Sequence, residues 1–355
     1  MERRKTRKVR VGDKFIGGDA PVLVQSMCNK KTKDVKGVLK QIDELAEAGC
    51  ELVRVTVNTQ EAADAMPAIV KGSQLPVCAD IHFDYRMALA AVKAGVAKVR
   101  INPGNIGSED KVKTVVKAVK DAGIPIRIGV NSGSIEKKLL EKYGYPTPEA
   151  AVESAFGHVK ILEELDFRDI VISVKFSDTL KTIQAYELLS KKCDYPLHLG
   201  VTEAGTKFTG TVKSSIALGS LLSRGIGDTI RVSLTDDPVE EVHAAYEILK
   251  VLGIRAHGPI LTSCPTCGRT EIDLIPLAKR IEERLKKYKE PLKVAVMGCV
   301  VNRPGEAAEC DVGITGGKGV GIVFRKGKVV RNVKESELFD ALFEEIDQII
   351  AEGDY

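Results

Sequence analysis

From residue 21 onward, short apolar runs without a helical period alternate with amphipathic segments. The first run, 21–27, is followed by 34–48, where Val38, Leu39, Ile42 and Leu45 share one helical face and Gly49 ends the pattern. The couplet then repeats. Strands are predicted at 52–57, 76–83, 98–102, 124–131, 169–175, 196–203 and 229–235. Helices are predicted at 59–70, 85–94, 110–122, 148–165, 178–191, 211–224 and 238–252. Segment 110–122 shows the period clearly, with Val112, Val115, Val116 and Val119 along one face. Gly95, Gly123, Gly225 and Gly253 stand where helix ends favour positive φ. Eight strand–helix couplets are the count of a (β/α)8 TIM barrel, a fold of about 250 residues. A doubly wound open sheet is the rival, but no Gly-x-Gly-x-x-Gly follows the first strand. Ahead of the couplets, 8–11 and 14–16 flank Gly12-Asp13 as a small hairpin.

After Gly258 the rhythm changes. A helix at 272–288 places Leu274, Leu277, Ile281 and Leu285 on one face, with Pro276 near its first turn, where a missing N–H is tolerated. Short strands at 292–297, 310–314, 320–324 and 328–331 and a closing helix at 335–350 complete a compact α+β unit. The expected division is 1–257 for the barrel and 258–355 for the smaller domain, with a short joint at 255–259.

Composition narrows the function classes. The 355 residues suit two domains, and 44% apolar content gives ample cores, so folding needs no metal. A net charge of +4 and 5% aromatics without tryptophan give little support for nucleic-acid binding. No run approaches ~20 apolar residues, so no membrane span is expected. The first twelve residues are basic, but no apolar stretch follows as in a signal peptide. Cys28, Cys50, Cys78 and Cys193 are scattered singly, as in a reducing compartment, and a cytoplasmic location is expected.

The candidate chemistry lies in two places. Cys264-Pro-Thr-Cys267 can grip one soft metal centre; Cys299 follows an apolar run, and Pro304-Gly305 can turn Glu306 back toward it. The spacing alone leaves structural zinc and iron–sulfur both open, and Cys310 could complete a four-cysteine zinc set. A thioredoxin-like pair or a disulfide framework fits less well. At the C-terminal ends of the barrel strands stand Arg54, Asp80 with His82, Arg100 with Asn102, Arg127 with Asn131, Lys175, His198 with Glu203, and Arg231. Four arginines and a lysine from different strands suggest a multiply charged anion such as a diphosphate. The alternative is that strand arginines pair with rim carboxylates, yet only Asp80 and Glu203 are in view. Glu203 suits an acid/base group, and His82 either donates to a phosphate or packs.

These stretches resemble the hydroxymethylbutenyl diphosphate synthase (IspG/GcpE) family. The matching motifs are Val24-Gln-Ser-Met27, Leu52-Val-Arg-Val55, Ala79-Asp-Ile-His-Phe83, Val99-Arg-Ile-Asn-Pro-Gly-Asn105 and Arg127-Ile-Gly-Val-Asn131. They continue through Ser173-Val-Lys175, Val201-Thr-Glu-Ala-Gly205, Ser263-Cys-Pro-Thr-Cys-Gly-Arg269 and Met297-Gly-Cys-Val-Val-Asn302, nearly end to end. The length resembles the bacterial two-domain form. The resemblance implies reductive ring opening and dehydroxylation of 2-C-methyl-D-erythritol 2,4-cyclodiphosphate to 4-hydroxy-3-methylbut-2-enyl diphosphate, in the non-mevalonate isoprenoid pathway. It implies a 4Fe-4S cluster held by Cys264, Cys267, Cys299 and Glu306, rather than by Cys310. It also implies a diphosphate clamp of Arg54, Arg100, Arg127 and Lys175 with His82 and Asn131 alongside, and Glu203 as acid/base. Flavodoxin or ferredoxin would supply electrons, and a homodimer would let the cluster domain of one subunit close the barrel of the other. Two departures stand out: Arg303 replaces the first glycine of the family's usual Asn-Gly-Pro-Gly-Glu, and Cys28 stands where threonine is frequent, a change read as packing. A zinc-ribbon module on an inert barrel, or a pterin- or phosphate-binding transferase without a redox step, are the rival readings.

Overall fold

The computed structural model describes residues 2–299, 307, 309–317 and 319–355. The chain splits into two compact units, Met1–Arg255 and Ala256–Tyr355.

In the first unit, β1 (Val9–Val11) and β2 (Lys14–Ile16) form the expected antiparallel hairpin. Eight strands follow: β3 (Leu23–Met27), β4 (Leu52–Thr56), β5 (Val77–Asp80), β6 (Lys98–Ile101), β7 (Ile126–Asn131), β8 (Ile170–Lys175), β9 (His198–Leu199) and β10 (Thr229–Ile230). All pair in parallel, in the order β8-β7-β6-β5-β4-β3-β10-β9. The two ends of that sheet meet through a single bridge between Ile172 and Leu197, which closes the barrel. This seam is reinforced from outside the ladder. The Ile172 N–H donates to the Pro196 carbonyl at 2.9 Å. The Tyr186 hydroxyl accepts from the Val174 N–H and donates to the His198 carbonyl, so one phenol staples β8 to β9.

All eight predicted outer helices form. They are Val35–Glu47, Gln60–Gly72, Tyr85–Lys93, Glu109–Asp121, Pro148–Glu164, Thr179–Lys192, Lys207–Leu222 and Pro238–Val251. Side chains of Asp34, Thr59, Asp84, Thr147, Asp178 and Asp237 accept N–H bonds at their helix starts. Each such cap contributes about 1 kcal/mol. Gly95, Gly123, Gly225 and Gly253 have φ of +87°, +63°, +73° and +64°, the left-handed turn that ends the preceding helix. The short helices Pro103–Ile106 and Lys137–Tyr143 were not anticipated, because one or two turns show no readable period. Strands β9 and β10 are only two residues long, where eight and seven were expected. At Gly200 the path leaves the ladder: a β-carbon there would lie 2.6 Å from Lys175 Nζ and 2.7 Å from the Arg231 carbonyl.

Strand alternation sorts the barrel into two faces. Val53, Val55, Val77, Ala79, Val99, Ile101, Ile126, Ile128, Ile170, Ile172 and Val174 join the helices in one core. Inward residues at the floor are apolar too: Leu23, Leu52, Cys78 and Val171 pack on Val9, Val11 and Ile16, so the hairpin plugs the bottom. Above that plug the inward positions turn polar. The basic N-terminal arm is bound down as well. Arg3 pairs with the buried Asp228 at 3.1 Å, Arg7 pairs with Asp194 at 2.8 Å, and the Arg4 N–H donates to the Gly225 carbonyl at 2.9 Å.

The second unit is a five-stranded sheet in the order β11 (Ile260–Ser263), β12 (Lys293–Met297), β13 (Val312–Gly317), β14 (Val320–Arg325), β15 (Lys328–Lys334). The first three strands are parallel and the last two antiparallel. Helices Leu274–Leu285 and Leu338–Glu352 cover it through Ile281, Leu285, Leu342, Phe343, Ile346 and Ile349. Strand β11 went unseen in the sequence because it is an edge strand with none of its four residues buried. No helix among the described residues is long and apolar enough to cross a membrane.

Candidate active-site residues in the barrel and in the C-terminal unit

Ladder register explains why charged side chains gather inside the barrel. Arg54, Asp80, Arg100 and Arg127 lie at inward positions of four successive strands, with Thr56, Asp80, Arg100 and Arg127 aligned in register across β4 to β7. Lys98 precedes Arg100 by two residues and so faces the same way. Lys175 ends β8 in register with Asn131. Arg127 and Lys98 are wholly buried, an uncommon state for charged side chains.

Asp80 is the only carboxylate that pairs with these cations among the described residues. Its oxygens lie 3.0 Å from Arg100 Nη1 and 3.5 Å from Arg54 Nε. Burial alone would raise its pKa; Arg54, Arg100, Arg127 and His82 outweigh burial and hold it at about 2. Arg54 otherwise rests on the Met27 thioether, 2.7 Å from Nη2, a weak acceptor. Arg127 Nε and Nη1 and Arg100 Nε are buried with no hydrogen-bond partner among the described residues. Burial, then repulsion from Arg54 and Arg100, pulls Arg127 down to about 9. Lys98, whose ammonium meets the Gln25 amide oxygen at 3.2 Å, is pulled down to about 7, chiefly by burial and then by Arg127 and Arg54. Gly129 provides the room for this arrangement, since a β-carbon there would lie 2.4 Å from Arg100 Nε. Five basic side chains, Arg54, Lys98, Arg100, Arg127 and Lys175, thus surround one carboxylate, which disfavours the isolated fold and favours any polyanion bound among them.

Arg231 is placed differently from the rest. Its Nε and Nη2 donate to the two oxygens of Glu241 at 3.1 and 2.9 Å, and that buried carboxylate also accepts from Ser26 Oγ and the Leu234 N–H. Rim pairing therefore holds for this arginine, and its charge is already balanced. Glu241 escaped notice because it reaches inward from helix Pro238–Val251, not from a strand end. Lys98 also escaped notice, although its two-residue spacing from Arg100 carried the signal. His82 is half-buried just beyond β5, and its Nδ1 is buried without a partner among the described residues. Asn131 ends β7, its N–H donating to Ser134 Oγ at 3.0 Å. Glu203 is exposed on the loop after β9, at φ +53°. Cys28 is packed in the helix-side core with its thiol pushed up to about 12 by burial.

The depressed Asp80 pKa carries a pH prediction. A folded pKa below the ordinary 3.8 means that the ionised carboxylate stabilises the fold above that pH, and that the contribution fades as pH falls toward 2. It amounts to about 2 kcal/mol. Asp80→Asn is therefore expected to lower the denaturant midpoint most at neutral pH, with the gap to the unaltered protein narrowing below about pH 4. A gap independent of pH would contradict this.

In the C-terminal unit the cysteines collect at one sheet edge. Cys264 directly follows β11 and Cys299 lies two residues beyond β12, and these strands are parallel neighbours. Gly298 laces the two loops together: its N–H donates to Cys264 Sγ at 3.2 Å, and its carbonyl accepts from the Glu271 N–H at 3.0 Å. Thr315 Oγ1 donates to the Cys299 carbonyl at 2.7 Å. Cys267 is exposed in a turn closed by Thr270, and the Arg269 backbone N–H, then the Arg269 charge, lower its pKa toward the thiolate. None of these thiols is in a disulfide. Cys310 packs in a cluster with Ala295, Met297 and Phe324, against which Cys264 also rests, and burial raises its pKa. Three thiols, the donor type expected of a soft metal centre, thus stand on two laced loops. Among the described residues no group of three His, Cys, Asp or Glu side chains is already gathered as for a metal ion. Glu306, the expected fourth ligand, and Arg303 lie outside the described residues.

Comparison with known proteins gives a consistent picture. A family model described as the GcpE TIM-barrel domain matches residues 6–246, and one described as the GcpE protein C-terminal domain matches 260–348. A Clostridium perfringens protein, 4-hydroxy-3-methylbut-2-en-1-yl diphosphate synthase (flavodoxin), is 60% identical over 98% of this chain and 100% of its own length. Proteins of the same name from Lawsonia intracellularis and Bacillus subtilis are 58% and 56% identical, each over 99% of this chain and over 98% and 93% of their own. Among solved structures, Yersinia pestis dihydropteroate synthase aligns with a TM-score of 0.51 at 12% identity, covering 69% of this chain and 97% of that one, a likeness of fold alone.

Proposed function

The chain belongs to the GcpE family, and on that premise we propose that it is a 4-hydroxy-3-methylbut-2-en-1-yl diphosphate synthase, an oxidoreductase. It opens 2-C-methyl-D-erythritol 2,4-cyclodiphosphate and removes one hydroxyl, yielding 4-hydroxy-3-methylbut-2-enyl diphosphate for isoprenoid synthesis. The observation that carries this reading is the barrel interior, where five basic side chains outnumber a single carboxylate and buried guanidinium donors have no partner among the described residues. A diphosphate supplies the charge and the acceptors those donors lack.

In this reading Arg54, Arg100, Arg127 and Lys175 bind the diphosphate, with His82 and Asn131 beside them and Arg231 held at the rim by Glu241. Asp80 keeps Arg54 and Arg100 apart and oriented while the substrate is absent. Cys264, Cys267, Cys299 and Glu306 would hold a 4Fe-4S cluster, which supplies electrons one at a time when bound. Two electrons enter the carbon skeleton, the carbon–oxygen bond to the ring phosphate breaks, and that oxygen stays on phosphorus. The hydroxyl leaves as water with a proton from the Glu203 carboxyl. Flavodoxin or ferredoxin would be the electron donor, a homodimer the working unit, and the cytoplasm the location, in keeping with eight cysteines of which none is disulfide-bonded.

One anaerobic preparation tests the main claims. The brown protein is expected to contain close to four irons and four sulfides per chain, to sediment as a dimer, and to convert the cyclic diphosphate only with a strong reductant. A colourless protein carrying one zinc, or turnover without reductant, would overturn the reading.

A further inference from the structure

The seam between β8 and β9 has the sparsest backbone pairing in the barrel, and two interior side chains meet across it. Lys175 ends β8 and His198 opens β9. Lys175 Nζ lies 3.3 Å from His198 Nε2, and His198 Nδ1 lies 2.7 Å from Thr229 Oγ1 on β10. His198 and Thr229 are wholly buried, and Lys175 is 6% exposed. In its ammonium form Lys175 has only donors and donates to Nε2; that form places the imidazole proton on Nδ1, which donates to the Thr229 hydroxyl. Burial, then the nearby charges of Arg127 and Lys175, push the His198 pKa well below its ordinary value, so the ring is neutral and able to accept.

Gly200 forms the other side of the slot, since a β-carbon there would lie 2.6 Å from Lys175 Nζ and 3.1 Å from Cε. Among the described residues no carboxylate pairs with Lys175, and burial, then the charges of Arg127, Arg54, Arg231 and Arg100, push its pKa well below the ordinary value, so it gains its full charge only beside an anion. A lysine head on a four-carbon stem has many rotamers to lose when it is fixed. Some group must hold it in place among like charges, and His198 is in contact with it.

We propose that His198 is a positioning residue for the anion clamp: with its tautomer set by Thr229, it holds the Lys175 ammonium in the Gly200 slot, with the remaining N–H bonds pre-oriented for the diphosphate. The inference rests on the clamp reading above and goes beyond it by assigning a role to a wholly buried residue that acts through Lys175.

The test uses the full chain and inorganic pyrophosphate as probe, with affinities from calorimetry at fixed pH and salt. His198→Leu is expected to weaken binding about tenfold. His198→Gln, which can place an amide oxygen near the Nε2 position, is expected to recover most of that loss. In a Lys175→Met background, His198→Leu is expected to change affinity less than twofold, because the two residues act as one unit. Equal losses in both backgrounds, or unchanged affinity in a folded His198→Leu protein, would overturn the role of His198. Should His198→Leu not fold, Thr229→Val replaces it in the cycle: losing the Nδ1 partner should weaken binding only while Lys175 is present, and the reverse overturns the inference. Failure of the unaltered protein to bind pyrophosphate would overturn the clamp reading itself, an outcome separable from additive losses, which sink the positioning role alone.

Discussion

Arg127→Met is expected to lower kcat/KM by about a thousandfold or more, to abolish measurable pyrophosphate binding, and yet to raise the unfolding temperature. The two effects share one cause. Arg127 is wholly buried, its Nε and Nη1 have no partner among the described residues, and Arg54 and Arg100 repel it. Removing one partner of a buried charge pair with a ligand costs about 2–5 kcal/mol of binding, which spans the predicted loss. Without ligand the same charge is a burden on the fold, and methionine fills a comparable space with a flexible apolar chain. For a domain of this size each kcal/mol relieved corresponds to about 2–4 °C in the melting midpoint. Thermal unfolding and calorimetry on the same preparation check both halves. A variant that binds normally, or one that melts lower while folding correctly, would contradict the assignment.

The second large effect is expected at Glu203. Glu203→Gln should cut kcat by about 10²–10⁴, the range for losing a positioned general acid, while KM moves only a few-fold. The backbone adds an independent check. Glu203 sits at φ +53°, a left-handed conformation that is uncommon outside glycine and its polar substitutes. It is held there from both sides: the Thr202 N–H donates to the Phe176 carbonyl at 3.1 Å, and the Thr235 N–H donates to the Gly205 carbonyl at 2.9 Å. Strain imposed by its surroundings on one polar residue in this way is a mark of functional positions. Glu203→Gly should therefore lose turnover as Gln does, but gain about 1 kcal/mol of stability by relieving the conformation. Single-turnover measurements with chemically reduced enzyme, alongside melting curves, separate the two contributions. Normal turnover in Glu203→Gln would remove the acid role.

Much of this architecture was legible in the chain because each barrel couplet advertises itself twice, by an apolar run and by an amphipathic helix, six of the eight carrying a side-chain cap. Asp34, Thr59, Asp178 and Asp237 mark helix starts as plainly as Gly95 and Gly253 mark ends. Boundaries failed where pattern is weakest. β9 and β10 keep only two ladder residues each, and after β9 the chain passes at Gly200 too close to Lys175 and the Arg231 carbonyl for any side chain. The site was legible to the extent that strand ends carry arginines. What the sequence hid were relations between elements: Glu241 reaching in from a helix to neutralise Arg231, and Gly129 making space for Arg100 two strand positions away from any obvious turn. Those are matters of three-dimensional proximity, for which period and composition hold no signal.

The N-terminal arm has a consequence for biosynthesis. Arg3 finds its carboxylate at Asp228, 225 residues downstream, and Arg7 finds Asp194, 187 downstream. At 5–20 residues per second a ribosome needs roughly 10–45 s to deliver those acceptors. Throughout that interval Arg3 and Arg7 lack their carboxylates, so this clamp across the barrel floor closes only after Asp228 has been made, while the C-terminal unit is still to come. A fusion partner placed ahead of Arg3 would tether bulk to a segment that must wait for Asp194 and Asp228 before it docks, whereas an extension beyond Tyr355 would not.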